Sequence, residues 1–562
     1  MRSILMTALV LSALPVFAAY PGHAPTSPEI NAADLSSRVK ALADDAFEGR
    51  GPGTENGEAA AQWIADELKR IGVKPGNNGS YFQTVPSVTI ALDASKSHAA
   101  FATPQGALAP KSPDEIVYWT PRCESRNISL ANSPLVFAGY GVVAPEYDWN
   151  DYSGIDVKGK TVLILVNDPG NEDPNPDPAF FKGKAMTYYG RWTYKFEEAA
   201  RQGAAAAFIV HETTPAAYGY QVVRNSNSGD KSWLEAKDQN RSMVSIQGWM
   251  TIETARELFR RGGLDYDEQK AAANRRGFKA RMMNETLSVS THSKIKHIKT
   301  RNVVGVIAGR ENPNDVFLYS AHWDHIGVKP DVAGPDKIYN GAVDNGMGVA
   351  SILELAEKFA SGPAPRRSLG FMFWTLEEQG LLGSQYFAEH PLWPRGHIVG
   401  VVNLDANLPM GRARDMNLPG SGQSELEDYL SAALRTQGRV VTPDPEPQRG
   451  AFFRSDHFSL AKYGIPAISP DSGYDLLVGG KDAGKAVADD YRLHHYHQPS
   501  DEWSASWDLT GPVEDLEALY LMGDKLANGD AWPGWYAGSE FKAARDKTMR
   551  ESTRVDSDSG ER

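Results

Sequence analysis

Residues 316–324, VFLYSAHWD, run from bulky apolar side chains directly into a histidine and an aspartate. An apolar run of this length that ends in polar residues is typical of a buried β-strand that stops at the edge of its sheet. Two further apolar runs, at 368–374 and 398–404, are also followed by acidic residues. The three stretches predict three buried strands whose ends carry polar groups.

The polar residues after these predicted strands are of types that can bind metal ions. They are His322, Asp324, Glu377, Glu378 and Asp405. In open α/β sheets, ligands bind outside the carboxyl ends of the strands, so we expect these side chains to converge on one crevice. Asp344, just before a predicted helix, and His497, late in the chain, are two further candidates.

Strands and helices alternate after about residue 302, which predicts an α/β fold with a mixed, mostly parallel sheet flanked by helices. A helix is predicted at 348–359, where apolar residues recur at helical spacing. Two amphipathic helices are predicted near the start, at 34–43 and 58–71. Between about 133 and 263, short β-rich runs broken by glycine and proline indicate an inserted β-rich module.

Composition narrows the class of protein. Of the 562 residues, 41% are hydrophobic and 23% are charged, which excludes collagen, a wholly disordered chain and a coiled coil. Lysine and arginine total 58 against 71 acidic residues, a formal charge of −13 without a basic run, which argues against nucleic acid as a partner. Because Cys123 is the only cysteine, neither an intramolecular disulfide nor a thiolate zinc cluster can form, and a metal must use histidines and carboxylates.

The first 18 residues have the pattern of a secretory signal peptide. Arg2 precedes an apolar run from Ile4 to Phe17, and small residues suit cleavage after Ala18. The run is too short for a transmembrane helix, and no other stretch approaches 18 apolar residues. We therefore expect an exported protein, periplasmic or secreted, without a membrane span.

Two histidines and three carboxylates suffice for a pair of metal ions, with one carboxylate bridging them. We assign His322 and Asp405 to one metal, Glu378 and His497 to the other, and Asp344 to the bridge. Spacing alone allows two interpretations of these residues: a metal site, or a set of unrelated polar residues. A strand-end histidine can simply be packed, and an aspartate before a helix can be an N-cap.

Glu377 is left over and adjoins a ligand. It could take the proton of a metal-activated water and return it to a leaving amine. Asp324 could orient the imidazole of His322 through its carboxylate. The nearby His325, His494 and His495 are surplus to this scheme, and we interpret them as pocket wall or surface.

The order of these motifs resembles the M28 family of zinc aminopeptidases over most of residues 302–527. The resemblance lies in SAHWD (320–324), GAVDN (341–345), EEQGLLGS (377–384), NLD (403–405) and YH (496–497). The middle module, with FAGYG (137–141) and VKGK (157–160), resembles a protease-associated domain, a common insertion in this family. The resemblance implies a zinc-peptidase type of sheet with an inserted protease-associated domain.

The resemblance also implies roles for individual residues. The five ligands would be His322, Asp344, Glu378, Asp405 and His497, holding two Zn²⁺ per chain, with Glu377 as general base. Tyr496 matches a tyrosine that stabilises the tetrahedral intermediate. Arg454 aligns with a substrate-contacting arginine of some members. From ligand type alone, cobalt or manganese could occupy the same site.

The expected organisation has five parts. These are a signal peptide (1–18), an N-terminal part of the peptidase domain (19–132), the inserted protease-associated domain (133–263), the main metallopeptidase domain (264–541) and a disordered tail (542–562). The expected function is aminopeptidase hydrolysis of a peptide or small amino-acyl substrate. The alternatives are a related dizinc carboxypeptidase or amidase, and a binding protein without turnover that recruits a partner through the inserted module.

Overall fold

The computed structural model describes residues 20–330, 332 and 334–559. The strands are β1 Lys74–Pro75, β2 Phe82–Leu92, β3 His98–Thr103, β4 Gly106–Leu108, β5 Ile116–Trp119, β6 Asn127–Phe137, β7 Val143–Ala144, β8 Trp149–Asn150, β9 Thr161–Leu165, β10 Ala206–His211, β11 Lys231–Leu234, β12 Ile246–Thr251, β13 Arg281–Ile307, β14 Asn312–His322, β15 Gly327–Val328, β16 Ile338–Tyr339, β17 Arg367–Trp374, β18 Ile398–Asn403, β19 Asp415–Leu418, β20 Val440–Pro443 and β21 Ala467–Ile468.

The α-helices follow the same chain order. They are α1 Ala32–Leu42, α2 Glu55–Arg70, α3 Trp192–Arg201, α4 Thr213–Ala216, α5 Tyr220–Asn227, α6 Ile252–Arg261, α7 Tyr266–Ala273, α8 Gly348–Ser361, α9 Leu382–Glu389, α10 Leu426–Thr436, α11 His457–Ala461, α12 Gly480–His494, α13 Thr510–Asn528 and α14 Lys542–Ser559. A π-helical turn, Ala342–Met347, leads into α8.

The first sheet has the strand order β21-β18-β14-β17-β13. The first four of these strands are parallel, and β13 is antiparallel to β17. Side chains alternate between the faces of each strand. Phe317 belongs to a buried cluster with residues of α1, α2, α8 and α13, whereas its neighbour Leu318 belongs to a second cluster with residues of α9 and α11. This arrangement confirms the predicted mixed α/β fold with helices on both faces of the sheet.

The second part of the molecule is built on strands β13-β6-β9-β10-β12-β5. The 27-residue strand β13 belongs to both parts, because its first half pairs with β3 and β6 and its second half with β2 and β17. The sequence analysis placed the start of the strand and helix alternation at about residue 302, which lies within this strand. Since β3 and β5 precede residue 133, strands from outside the 133–263 range also join this sheet. The domain boundaries and the protease-associated assignment stay predictions.

The C-terminal tail differs from the sequence prediction of disorder from residue 542. Helix α14 begins there, and its first turns pack on the first sheet. Arg545 donates a hydrogen bond to the carbonyl oxygen of Ile398 at 3.2 Å, and the Thr548 hydroxyl donates to that of Tyr463 at 3.1 Å. Composition predicted disorder because apolar residues are few, whereas the helix is held by long-range polar contacts.

The predicted signal peptide, residues 1–18, lies outside the described residues. In the part of the chain that the structure describes, no helix combines the length and apolar character that crossing a membrane requires.

Candidate metal centre

Three parallel strands bring the predicted site residues to one edge of the first sheet. His322 ends β14 opposite Trp374, the last residue of β17, and Ser320 lies opposite Asn403, the last residue of β18. Glu377 and Glu378 follow β17, and Asp405 follows β18. Because parallel strands share a direction, their carboxyl ends open onto the same crevice.

His322 lies between two carboxylates. Its Nε2 atom is 3.1 Å from Oδ1 of Asp405 and 3.2 Å from Oδ1 of Asp344. The imidazole is almost fully buried. Burial alone would lower the pKa of His322, but the surrounding carboxylates, Asp405 first, raise it well above its usual value.

His497 occupies the other side of Asp344. Its Nε2 atom is 3.2 Å from Oδ2 of Asp344 and 3.1 Å from Oε2 of Glu378. The two oxygens of Asp344 therefore face different histidines. We call His322, Asp344, Glu378, Asp405 and His497 the strand-end cluster.

Two hydrogen bonds to the backbone hold Asp344 in place. The carboxylate of Asp501 accepts from the N–H groups of Val343 and Asp344, each at 3.0 Å, and from the Tyr491 hydroxyl at 3.1 Å. The sequence analysis gave Asp501 no role, although it lies four residues after His497. Its position next to a predicted ligand was the available signal.

Arg50 connects the two loops that carry His322 and Asp344. Its guanidinium donates to the carbonyl oxygens of Trp323 at 2.9 Å, Asn340 at 2.6 Å and Gly341 at 2.8 Å. Its side chain is fully buried. The preceding Gly49 has φ of +65°, and a Cβ there would lie 2.4 Å from a backbone oxygen, so this turn requires glycine.

His325 is a correction to the sequence analysis, which interpreted it as pocket wall or surface. Its buried Nδ1 atom lies 2.6 Å from Oε1 of Glu378. Its Nε2 atom has no hydrogen-bond partner among the described residues. His325 therefore contacts the strand-end cluster directly and orients Glu378.

Asp324 also acts differently from the prediction. The Nδ1 atom of His322 is 3.0 Å from the backbone oxygen of Asp324 and 3.9 Å from its carboxylate. The carboxylate instead accepts from the N–H of Glu377 at 3.1 Å. Asp324 thus orients His322 through its main chain and positions Glu377 through its side chain.

Glu377 borders the strand-end cluster without belonging to an ion pair in the described part of the chain. Burial raises the pKa of Glu377 well above its usual value, and the carboxylates of Asp405 and Glu378 contribute to the same effect. A carboxyl group with a raised pKa can both accept and return a proton near neutral pH.

The other two predicted residues lie at the edge of the site. The ring of Tyr496 stacks on that of His497 with centroids 3.9 Å apart, and Tyr496 is 37% exposed. Arg454 is not among the contacts of the strand-end cluster. It donates from Nε to the backbone oxygen of Arg449 at 3.0 Å, and its guanidinium carbon lies 5.5 Å from the ring of Tyr218.

The donor set fits a pair of borderline dications. Two groups of potential ligand atoms, each within 4.8 Å of one another, share Asp344: one also holds His322 and Asp405, the other His325 and Glu378. Imidazole nitrogens and carboxylate oxygens are ligands that zinc accepts. Buried carboxylates that face one another require a compensating positive charge, which metal ions would supply.

Comparisons with known proteins agree with this geometry. Residues 302–521 match the model of peptidase family M28. A probable lipoprotein aminopeptidase, LpqL, of Mycobacterium tuberculosis is 26% identical over 243 residues, 40% of this chain and 45% of that protein. Leucine aminopeptidase 2 of Arthroderma otae is 25% identical over 208 residues, 35% of this chain and 39% of that protein. The chain therefore matches less than half the length of either relative.

A solved structure extends the likeness in fold. The aminopeptidase from Aneurinibacillus sp. strain AM-1 superposes with a TM-score of 0.50 at 19% identity, over 89% of this chain and 94% of that one. The segment that matches the family model contains β14, β17 and β18, and all five members of the strand-end cluster lie within it. Through residues 302–521, this chain is similar to peptidase family M28.

Proposed function

We propose that this chain is an exported aminopeptidase that holds two zinc ions and removes N-terminal residues from peptides. The observation that carries the proposal is the position of Asp344 between two histidines, with one carboxylate oxygen toward each. A carboxylate that faces two imidazoles in opposite directions suits a bridge between two metal ions. The names of the relatives, both aminopeptidases, support the same reaction.

The ligand assignment follows from the contacts. His322 and Asp405 would hold one zinc ion, Glu378 and His497 the other, and Asp344 would bridge them. Bound zinc would polarise the scissile carbonyl and lower the pKa of a water molecule. His325 would hold Glu378 in position through the carboxylate oxygen that does not face His497, as a hydrogen-bonded partner of a ligand commonly does.

Glu377 would move the proton. Its carboxylate would accept a proton from the attacking water and return it to the nitrogen of the departing amine. The hydrogen bond from the Glu377 N–H to Asp324 holds the backbone of this residue next to the cluster. The Tyr496 hydroxyl, at the exposed edge beside His497, would donate a hydrogen bond to the developing oxyanion.

The acidic character of the site favours a free amine as the recognised group. The protonated N-terminus of a peptide would be attracted to the carboxylates around the strand-end cluster. The predicted signal peptide, residues 1–18, supports export, and the β-rich range 133–263 supports an inserted protease-associated domain.

The testing experiment measures hydrolysis of amino-acid p-nitroanilides and amino-blocked controls by the purified protein, with chelator and zinc add-back. We expect chelator-sensitive release from free-amine substrates only. Glu377→Gln should lower kcat by about 100- to 10,000-fold while two zinc ions stay bound. The exposed glutamate variant Glu389→Gln is the matched control and should keep wild-type rates.

Three results would contradict the proposal. Near-normal turnover by Glu377→Gln would exclude it as the general base. Release from amino-blocked peptides alone would favour a carboxypeptidase or amidase. Two bound zinc ions without any turnover would favour a binding role.

A further inference from the structure

A cleft lies between β2 and β5, away from the strand-end cluster. It measures about 550 Å³ up to its open mouth. Its lining includes Ile90, Leu92, Val117, Trp119, Asn227 and Ser293. We call it the β2–β5 cleft. No member of the strand-end cluster lines it, so the proposed aminopeptidase reaction does not account for it.

The pairing of the strands determines which polar side chains face the cleft. Lys231 of β11 lies opposite Ile90, and Ser293 of β13 lies opposite Leu92. Directly opposite residues of antiparallel strands carry their side chains on the same face, and so do residues two apart on one strand. Lys231 and Ser293 therefore share the face of Ile90 and Leu92. Because β2 lies between β11 and β13, the two polar residues flank it from opposite sides.

Ser293 presents an unpaired hydroxyl group to the cleft. The residue is 1% exposed, and its Oγ atom has no hydrogen-bond partner in the part of the chain that the structure describes. A buried hydroxyl without a partner is costly. A ligand in the cleft that carries a hydrogen-bonding group would remove this cost.

Lys231 brings a positive charge to the other side of β2. Its Nζ atom donates to Oδ1 of Asn227 at 2.8 Å and lies 4.7 Å from the centre of the Trp119 ring. Both of these partners line the cleft. An ammonium group has three N–H donors, and the amide oxygen of Asn227 accepts from one of them. Lys231 can therefore bind a further acceptor.

A second lysine strengthens the positive charge at this point. The Nζ atom of Lys329 lies 3.7 Å from the place that a Cβ on Gly229 would take, and Gly229 lines the cleft. Among the described residues, no carboxylate lies within 4.0 Å of Lys231 or Lys329. Burial and the charge of Lys329 lower the pKa of Lys231 to about 8. An anionic ligand would supply the charge that the protein does not.

We propose that the β2–β5 cleft binds a small molecule with a carboxylate at one end of an apolar body and a hydrogen-bonding group at the other. Lys231 would bind the carboxylate through a charge-assisted hydrogen bond. The Ser293 hydroxyl would pair with the group at the far end. The aliphatic lining and the Trp119 ring would bury the apolar body, as is usual in small-molecule sites.

The cleft adjoins the loop that carries Glu377 and Glu378. The N–H of Ser232, the residue after Lys231, donates to Oε1 of Gln379 at 3.1 Å. Gln379 directly follows Glu378. The ligand would thus contact the strand that holds this loop, whereas its binding would require neither zinc nor turnover.

The test is calorimetric titration of the full chain with three probes. These are 3-(4-hydroxyphenyl)propionate, its amide, and 3-phenylpropionate, which lacks the phenol hydroxyl. For the hydroxylated acid we expect a Kd on the order of 1 mM or tighter, and for its amide a Kd about 10-fold higher or more. Because carboxylates also bind zinc, each titration is repeated with chelator, and the affinities should stay the same.

Variants assign the two ends of the ligand. Lys231→Met should weaken binding of the hydroxylated acid by about 10-fold and leave its amide unchanged. Ser293→Ala should remove the advantage of the phenol hydroxyl, about 2- to 10-fold, and leave 3-phenylpropionate unchanged. The exposed Lys237→Met, on the same part of the molecule, is the matched control and should bind all three probes like the wild type.

A blocking variant covers the case in which Lys231→Met does not fold by circular dichroism. Ala94 is exposed and lines the cleft, so Ala94→Trp should fill it and abolish binding of all three probes. Unchanged binding by this variant would overturn the proposal.

Three further results would also overturn it. These are equal affinity of the wild type for acid and amide, unchanged affinity in folded Lys231→Met, and loss of binding with chelator, which would place the probe on a metal ion. Failure to hydrolyse p-nitroanilides would refute the aminopeptidase function alone, since the titrations do not depend on turnover.

Discussion

The molecule contains two groups of buried charges, and their surroundings are opposite. In the β-rich part, Asp151, Asp168 and Lys195 are each at most 1% exposed. We call them the lysine cluster. In the strand-end cluster, the carboxylate oxygens face histidines and one another. Both groups bury carboxylates in the protein interior, where an uncompensated charge is costly. They differ in the groups that compensate the buried carboxylates.

The lysine cluster is satisfied by the protein itself. The Asp168 carboxylate accepts from the N–H and hydroxyl of Thr187, at 2.6 and 2.8 Å. The Asp151 carboxylate accepts from the N–H of Val142 and the indole of Trp149, both at 2.9 Å. Lys195 donates to two backbone carbonyl oxygens at 2.7 and 2.9 Å. Such a group stabilises the fold and leaves no ligand atoms for a metal.

The strand-end cluster is satisfied by imidazoles. Both oxygens of Asp344, both of Glu378 and one of Asp405 face a histidine nitrogen, and Glu377 adds a further acid beside them. The comparison indicates that buried acids whose oxygens accept from amide, indole and hydroxyl donors are structural, whereas buried acids that share imidazoles, which are metal ligands themselves, form a cation site. The following predictions test this distinction.

The largest effect is expected at Asp344, the proposed bridging residue. Asp344→Asn removes the shared negative charge between the two histidines, and should weaken zinc binding by on the order of 1,000-fold. Metal analysis of the purified variant, with chelator competition, measures the loss. The metal-free variant should also unfold at a lower temperature, because it loses the negative charge that faces His322 and His497. Full zinc occupancy in this variant would remove Asp344 from the site.

The lysine cluster should show the opposite response. Lys195→Met removes the positive charge whose field reaches two buried aspartates and leaves two backbone carbonyl oxygens without a donor. It should cost about 3–5 kcal/mol of unfolding free energy, measured by urea denaturation. Zinc content per folded molecule should stay at the wild-type value. Arg201→Gln, an exposed ion-pair position on the same helix, is the control and should cost about 1 kcal/mol or less. Loss of zinc from folded Lys195→Met would break the distinction between the two clusters.

The smallest effect is expected at His325, which contacts the proposed ligand Glu378. His325→Ala removes the hydrogen-bond partner of Glu378 and should weaken zinc binding by about 10- to 100-fold, measured by chelator competition. His497→Ala should weaken it more, because His497 contacts two carboxylates. The exposed His494→Ala should have no effect. If His325→Ala costs more than His497→Ala, then His325 is the ligand.

Local sequence patterns predicted much of the first sheet. The strands at 316–319, 368–374 and 398–404 are present because continuous apolar runs require burial on both faces. Helix α8 follows from its helical spacing of apolar residues. The polar residues that follow these strands were also identified, because they stand directly after each apolar run in the sequence.

The sequence analysis missed elements and residues whose contacts join segments that are distant along the chain. Strand β13 lacks a simple apolar alternation over its 27 residues, because it serves two sheets with different inward faces. Helix α5 was not predicted, because the Tyr and Asn residues of 218–227 obscure helical periodicity. Asp501 and Arg50 act on backbone groups of distant loops, and such contacts leave no periodic signal in either partner.

The sequence by itself determined the α/β alternation, the acids and histidines after the strands, and the set of groups that can bind metal. These follow from local burial and residue chemistry. The tertiary structure alone decided which histidine each oxygen of Asp344 faces and that Asp324 uses its main chain toward His322. These depend on the packing of segments that are distant along the chain, and only the folded chain fixes those distances.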